Sequence, residues 1–240
     1  MERRDRIPTG IIGLDGKIEG GFVPGSVNLV TGKTGTGKTS FASSFIYAGA
    51  LRGEPGVYIT TEERAEDIKN DMAAMFSWNF TELEEHGLLK ILAIKPIFPA
   101  KDIEDINRLV RLYIFDLLAK IEQSMKDAKA ARAVIDSVSI IEMFIKDKYI
   151  SRVALNAITE KLRSLGVTSV VTATIPEGSQ ALSGGEIIEY IVDSVIKLDF
   201  IPVAEEYRRT LTIRKMRRTN HSTLIHPFEV TSEGIRVIEI

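Results

Sequence analysis

The sequence predicts an α/β chain with a mostly parallel central sheet flanked by helices and an antiparallel extension at its carboxyl end. Three observations carry that expectation. Short β-branched runs alternate with segments of helical period from Ser26 to Thr174, the pattern of strand–helix–strand units that cover a parallel sheet on both faces. A glycine-rich loop, Gly32 to Thr39, joins the first strand run to the first helical one. In the carboxyl-terminal third, strand-like runs follow one another on short links, which suits antiparallel pairing.

The elements follow in order. "SVNLVT", Ser26 to Thr31, is bounded by Pro24-Gly25 and Gly32 and reads as the first strand. From Thr39 to Leu51 the residues Phe41, Phe45, Ile46 and Leu51 give a helix one buried face, and Gly53, Pro55 and Gly56 stop it. "VYITT" is the next strand, Glu62 and Glu63 close it, and "RAEDIKNDMAAMF" is helical. "LLKILAI" forms a strand ended by Pro96 and Pro99; Asp102 is placed to cap a long helix with Ile103, Ile106, Val110, Ile114, Leu117 and Ile121 on its core side. "ARAVIDSVSI" carries Asp136 on an apolar strand, Ser151 caps a helix that ends at Gly166, and "VTSVVTAT" returns to the sheet. "IIEYIVDSVIKLDF", "RRTLTIRKM" and "GIRVIEI" are the closing strands.

Composition narrows the function classes. With 240 residues, 44% of them hydrophobic, the chain can bury one substantial core, so a single domain over 1–240 is expected. Lysine and arginine number 31 against 33 acids, a formal charge of -2, which excludes a global bias toward nucleic acid or membrane. There are no cysteines, hence no disulfide framework and no thiolate metal site, and a reducing compartment fits. The charged start "MERRDRIPTG" and the lack of any apolar run near ~20 residues give the expectation of a cytoplasmic protein without a membrane segment.

Gly32-Lys33-Thr34-Gly35-Thr36-Gly37-Lys38-Thr39 fits G-x-x-x-x-G-K-[ST] at every fixed position and lies between a strand and a helix, the context the motif requires. Glycines let successive N–H groups point inward, and the helix that follows, starting near Thr39 and Ser40, adds the positive end of its dipole. Lys38 is expected to reach the β- and γ-phosphates and Thr39 to ligate Mg²⁺, with Gly35, Thr36 and Gly37 contributing mainly backbone. Hydrolysis needs a second magnesium anchor and a group that activates water. Asp136, at the end of a buried strand, is placed as the anchor, though an aspartate capping a turn is the common alternative. Because neighbouring strand residues face opposite ways, only one of Glu62 and Glu63 should point at the γ-phosphate; Glu62 is favoured, with Glu63 close behind and a solvated first helical turn as the bland reading.

Near the carboxyl end, Leu211, Ile213, Lys215 and Arg217 share one face of a regular strand, so a buried apolar row turns cationic at its tip. Lys215 and Arg217 are read as fingers reaching a neighbouring subunit's γ-phosphate, against a solvated edge strand or a nucleic-acid backbone contact as alternatives.

These segments, "IPTGIIGLDGKIEGGFVPGSVNLVTGKTGTGKT", "YITTEER", "VIDSVS", "KMRRTNHS" and "HPFEVTSEGIRV", resemble the RecA superfamily, and closely the KaiC/RadA-type single-domain ATPases of archaea, over essentially the whole chain. The resemblance implies a P-loop NTPase with a RecA-like core that binds ATP and Mg²⁺. It implies a homo-oligomeric ring, a hexamer being one form, with ATP at subunit boundaries, a "TEE" glutamate as water-activating base and "KMR" cations acting across the boundary. It brings Lys33, Thr34, Ser40, Thr219 and His221 into the nucleotide-binding set and a link to DNA repair, recombination or signalling into view. One departure is Arg218, where many relatives have glycine.

An ATPase is therefore the leading expectation, with a nucleotide-gated scaffold or regulatory module of little turnover as the competing class. Autophosphorylation ranks low. The loop "PEGSQALSGGE", where a recombinase would contact DNA, has no lysine or arginine and two glutamates, so DNA binding through it is expected to be weak and a protein partner suits it better.

Overall fold

The computed structural model describes residues 5–95, 106–145, 147–179 and 181–239. Among the described residues, nine strands form one sheet in the order β3-β2-β4-β5-β1-β6-β7-β8-β9. The strands are β1 (Val27–Gly32), β2 (Gly56–Thr60), β3 (Leu89–Ala93), β4 (Arg132–Asp136), β5 (Thr168–Thr174), β6 (Ser194–Val203), β7 (Glu206–Met216), β8 (Ile225–Thr231) and β9 (Gly234–Val237). Every pairing from β3 to β6 is parallel, and β6 to β9 pair antiparallel. This is the mostly parallel sheet with a carboxyl-terminal antiparallel extension that the sequence predicts.

The helices are α1 (Lys38–Ala50), α2 (Ala65–Phe76), α3 (Phe80–Glu85), α4 (Ile106–Asp127), α5 (Ser139–Phe144), α6 (Lys148–Ser164) and α7 (Ile188–Ile191). They divide the core into two layers. One gathers Phe41, Phe45, Tyr58, Met72, Trp78 and Ile213 around α1 and α2; the other gathers Leu29, Ile59, Leu117, Leu155, Val171 and Val195 under α4 to α7. The strand residues of these two layers alternate, Tyr58 in one and Ile59 in the other, because successive side chains leave a strand on opposite faces.

Several elements differ from expectation for identifiable reasons. Helix α1 buries more than one face, with Ser40 to Ile46 all inside, because β9 and Trp78 cover its outer side; a Cβ on Gly234 would lie 3.2 Å from the Trp78 ring. Asp147, not Ser151, caps α6, accepting from the amides of Tyr149 (2.8 Å) and Ile150 (3.0 Å), while Ser151 is buried one turn inside. The run "IIEYI" folds as α7 rather than as strand, and β6 begins at Ser194. Strand β8 has no clear signal because Pro227 interrupts it; the proline sits at the end of the β7 pairing, opposite Thr210, where a missing donor costs least. The expected Asp102 cap and the Ile103 core position lie outside the described residues.

A register shift matters for the cationic tip. Val195 pairs with Lys215 and Ile196 with Ile213, leaving Arg214 as the extra residue of a bulge. The bulge breaks the alternation, so Met216 joins Leu211 and Ile213 in one layer. Lys215 leaves the face expected for it and donates instead to the carbonyls of Glu189 (3.0 Å) and Val192 (2.7 Å) at the end of α7.

Candidate active site

The glycine-rich loop runs from the end of β1 into α1. Gly32 must be glycine because a Cβ there would stand 2.4 Å from the Leu198 carbonyl oxygen and 2.6 Å from Thr36 Oγ1. Gly35 (φ 79°) and Gly37 (φ 103°) take left-handed backbone that other residues resist. Gly37 is the cap of α1 and makes no side-chain cap bond to the first amides of the helix. Those amides, with the positive end of the helix dipole, are left for an anion. Thr36 turns its hydroxyl inward onto the Lys33 carbonyl, 2.8 Å away, so its part in the loop is structural.

Lys38 folds back into the loop and donates to the carbonyls of Gly32 and Lys33, both at 2.9 Å. Burial lowers its pKa, opposed by the negative charges of Asp136 and Glu62. An ammonium held in a partly desolvated loop by neutral carbonyls is ready to exchange them for phosphate oxygens. Lys33 points outward and pairs with Glu177 at 3.4 Å.

Asp136 ends β4 beside this loop and accepts from three hydroxyls. Thr39 lies 2.9 Å and Tyr58 2.7 Å from Oδ2, and Thr172 donates to Oδ1. Glu62 and Glu63 follow β2 in a bend rather than extending the strand. Strand alternation therefore does not separate them, and both line the cavity, contrary to the expectation that one would face away. Ser137 Oγ donates to Glu62 Oε1. Glu63 is anchored through its backbone to Thr60 Oγ1 at 3.0 Å, and burial, then Asp136, pushes its carboxyl pKa up.

Together these groups border an open cavity of about 390 Å³ that contains Thr34, Gly35, Gly37, Lys38, Thr39, Ser40, Glu62, Glu63 and Asp136 in its wall. The structure adds wall residues that sequence reasoning missed: Met75 of α2, Ser137, Thr174 at the end of β5, Arg209 of β7 and Val230 of β8. These arrive from distant elements, and only Ser137 in "VIDSVS" and Val230 in "HPFEVTSEGIRV" stand in segments that the sequence singles out for its resemblance. The cavity lies at the carboxyl ends of the parallel strands β1, β2, β4 and β5, where ligands of open α/β sheets bind.

Lys215, Arg217, Thr219 and His221 do not join it. Arg217 and Lys215 border a second cavity with Glu186, Glu189, Tyr190 and Arg214, which shares no wall residue with the first. Arg217 is half exposed, 3.8 Å from Asp193. Thr219 Oγ1 accepts from Arg6 at 2.7 Å, and His221 Nδ1 lies 2.9 Å from the Ser222 carbonyl. Arg218 takes a left-handed backbone (φ 59°), the conformation that glycine would adopt freely at this turn, and Arg6 donates to its carbonyl.

Comparison with known proteins establishes the family. The family model described as "ATPase: KaiC" matches residues 7–240. The chain belongs to the KaiC ATPase family. A UPF0273 protein of Methanopyrus kandleri is 37% identical over 97% of this chain and 92% of its own length. The circadian clock oscillator protein KaiC of Parathermosynechococcus lividus is 33% identical over 97% of this chain, which spans 42% of that protein. The crystal structure of a KaiC-like protein from Pyrococcus horikoshii OT3 superposes with a TM-score of 0.84 at 38% identity, covering 98% of this chain and 99% of that one. The fold is thus the RecA-type core of a KaiC-like P-loop ATPase. Among the described residues, no helix is long and apolar enough to cross a membrane.

Next to the site, Glu142 of α5 buries both carboxyl oxygens against Gly185, where a Cβ would come within 2.7 Å of Oε1. Burial, with Glu189 nearby, raises its pKa to about 7. A carboxyl raised in the fold above its unfolded value stabilises at low pH, and that contribution is lost as pH rises from about 4.5 through 7. Glu142→Gln is therefore expected to match wild type in urea unfolding at pH 4 and to exceed it by ~1–2 kcal/mol at pH 8, a figure discounted for the group's partial exposure.

Proposed function

We propose that this chain binds Mg²⁺-ATP in the loop-and-carboxylate cavity and hydrolyses it, working as one ATPase domain over residues 1–240 and completing its site from a neighbouring copy in a ring. The observation that carries the reading is the convergence of an uncapped helix start, the half-buried Lys38 ammonium and the Asp136–Thr39 pair on one cavity wall. In this reading the amides of Gly35 to Ser40 and Lys38 take the phosphates. Thr39, whose hydroxyl donates to Asp136, would offer a lone pair to the cation, which when bound would supply positive charge to the phosphates. Glu62, tethered by Ser137 beside Asp136, accepts the proton of the attacking water, and Glu63 stands next to it. Arg209 and Val230, with Met75, offer the far end of the cavity a cationic and apolar surface for the base.

Arg217 is the finger in trans, since it is half exposed and far from its own chain's cavity; Lys215, tied to the end of α7, stands beside it, and Thr219 and His221 belong to the same tip. Intracellular work, and any link to repair, recombination or signalling, rest on the family resemblance. The loop after β5 spends Glu177 on Lys33 and Glu186 on Lys148, which leaves DNA a poor ligand there.

The test is complementation. Glu62→Gln and Arg217→Ala chains are each expected to be inactive alone. Unfolded and refolded as an equal mixture, they should regain about a quarter of the wild-type rate per chain, because that share of ring interfaces joins an intact Glu62 to an intact Arg217. No recovery, or full turnover by Arg217→Ala alone, refutes the shared site; ring formation without turnover by wild type favours the scaffold reading.

A further inference from the structure

One buried polar group near the site has a role that its position in the core does not require. Tyr58 lies in the middle of β2, wholly inaccessible to solvent and packed in the layer around α1. A phenylalanine would fill that place at the same volume, and a phenol hydroxyl taken from water costs free energy unless it finds an acceptor. The register supplies one. Tyr58 stands opposite Val134, and two residues further on Thr60 stands opposite Asp136. Two residues of strand span ~6.6 Å, about the reach of a tyrosine side chain lying along the strand, so the hydroxyl arrives 2.7 Å from Asp136 Oδ2.

That contact decides what Asp136 can do. A carboxylate has about four acceptor directions. Thr39 and Tyr58 occupy both of those on Oδ2, and Thr172 takes one on Oδ1. Asp136 is thus held from β2 and β5 while it accepts the hydrogen bond of the Thr39 hydroxyl from α1. A Thr39 hydroxyl whose hydrogen bond is directed at Asp136 keeps its oxygen lone pairs free for a divalent cation in the cavity that Thr39 lines. Hydrogen bonds to an ionised group are stronger than neutral ones and hold one carboxylate rotamer against its alternatives.

We propose that Tyr58 is a positioning residue for the divalent cation: by fixing the Asp136 carboxylate it orients the Thr39 hydroxyl and sets the affinity of the site for magnesium. This rests on the reading of Asp136 and Thr39 as the cation's anchors. Tyr58 touches neither nucleotide nor cation; it acts through Asp136, as outer partners of metal ligands do.

The experiment measures binding of a fluorescent nonhydrolysable ATP analogue to the full chain at a series of magnesium concentrations and, separately, in EDTA. Tyr58→Phe should raise the half-saturating magnesium concentration ~10-fold, in line with the loss of an outer partner. Affinity for the analogue in EDTA should stay within about twofold, since no phosphate contact changes. In an Asp136→Asn background the same Tyr58→Phe change should add no further shift, because the two residues act as one unit. An unchanged magnesium midpoint in a Tyr58→Phe protein that melts like wild type overturns the proposal alone. So does an equal loss of analogue binding with and without magnesium, which marks a collapsed cavity. A wild type that binds the analogue with no magnesium dependence overturns the cation reading, and this proposal with it.

Discussion

Glu62→Gln is expected to lower ATP turnover by ~10²–10³-fold, the range of a lost general base or transition-state contact, while leaving nucleotide affinity nearly intact. Glutamine keeps the shape and the hydrogen bond from Ser137 but cannot take a proton from water. Glu63→Gln is expected to cost less, ~10-fold or under, since its carboxyl is drawn toward the neutral form by burial and by Asp136. Steady-state phosphate release, read beside equilibrium nucleotide binding, separates the two. If Glu63→Gln alone abolished turnover, the proton would go to Glu63 and the assignment of the base would be wrong.

Arg132→Ala is expected to destabilise the fold by ~3–5 kcal/mol, the cost of leaving the partners of a buried charge unpaired. Arg132 opens β4 with no exposed surface, although burial lowers its pKa. Its guanidinium bonds Glu54 at 2.7 Å and the carbonyls of Pro8 and Phe45 at 2.9 Å, and it stands 4.7 Å over the Phe45 ring. These contacts tie the amino-terminal segment and α1 to the start of β4, at the end of the sheet opposite the phosphate loop. Gly49 makes room for it, since a Cβ there would lie 2.4 Å from Arg132 Cδ. Urea unfolding at matched slope measures the effect, and a change below about 1 kcal/mol would show that the cluster is dispensable.

What could be read from the sequence follows from where each feature keeps its information. The phosphate loop is contiguous, so eight residues and their flanks specify strand, turn and helix start together. The parallel half of the sheet is legible because its strands are apolar runs between helical periods. Asp136 and the glutamate pair were found because strand ends at the carboxyl edge must meet that loop. Met75, Thr174, Arg209 and Val230 could not be found this way: each is unremarkable in its own segment and enters the wall only through sheet order. The face of Lys215 was misread because the bulge at Arg214 adds one residue, and such a slip moves every later side chain across the sheet. The α6 cap was legible in principle, since Asp147 stands one residue before the helix; Ser151 competed for it only by type.

Nucleotide binding depends on one event, the exchange of Lys38 from its loop carbonyls to the phosphates of a magnesium nucleotide. Equilibrium dialysis of labelled ATP against the Glu62→Gln chain measures it without the complication of turnover. One ATP retained per chain in magnesium, and loss of that binding when Lys38→Ala is added, is the predicted result. A chain that retains no ATP, or retains it equally well without Lys38, would contradict the assignment of this cavity.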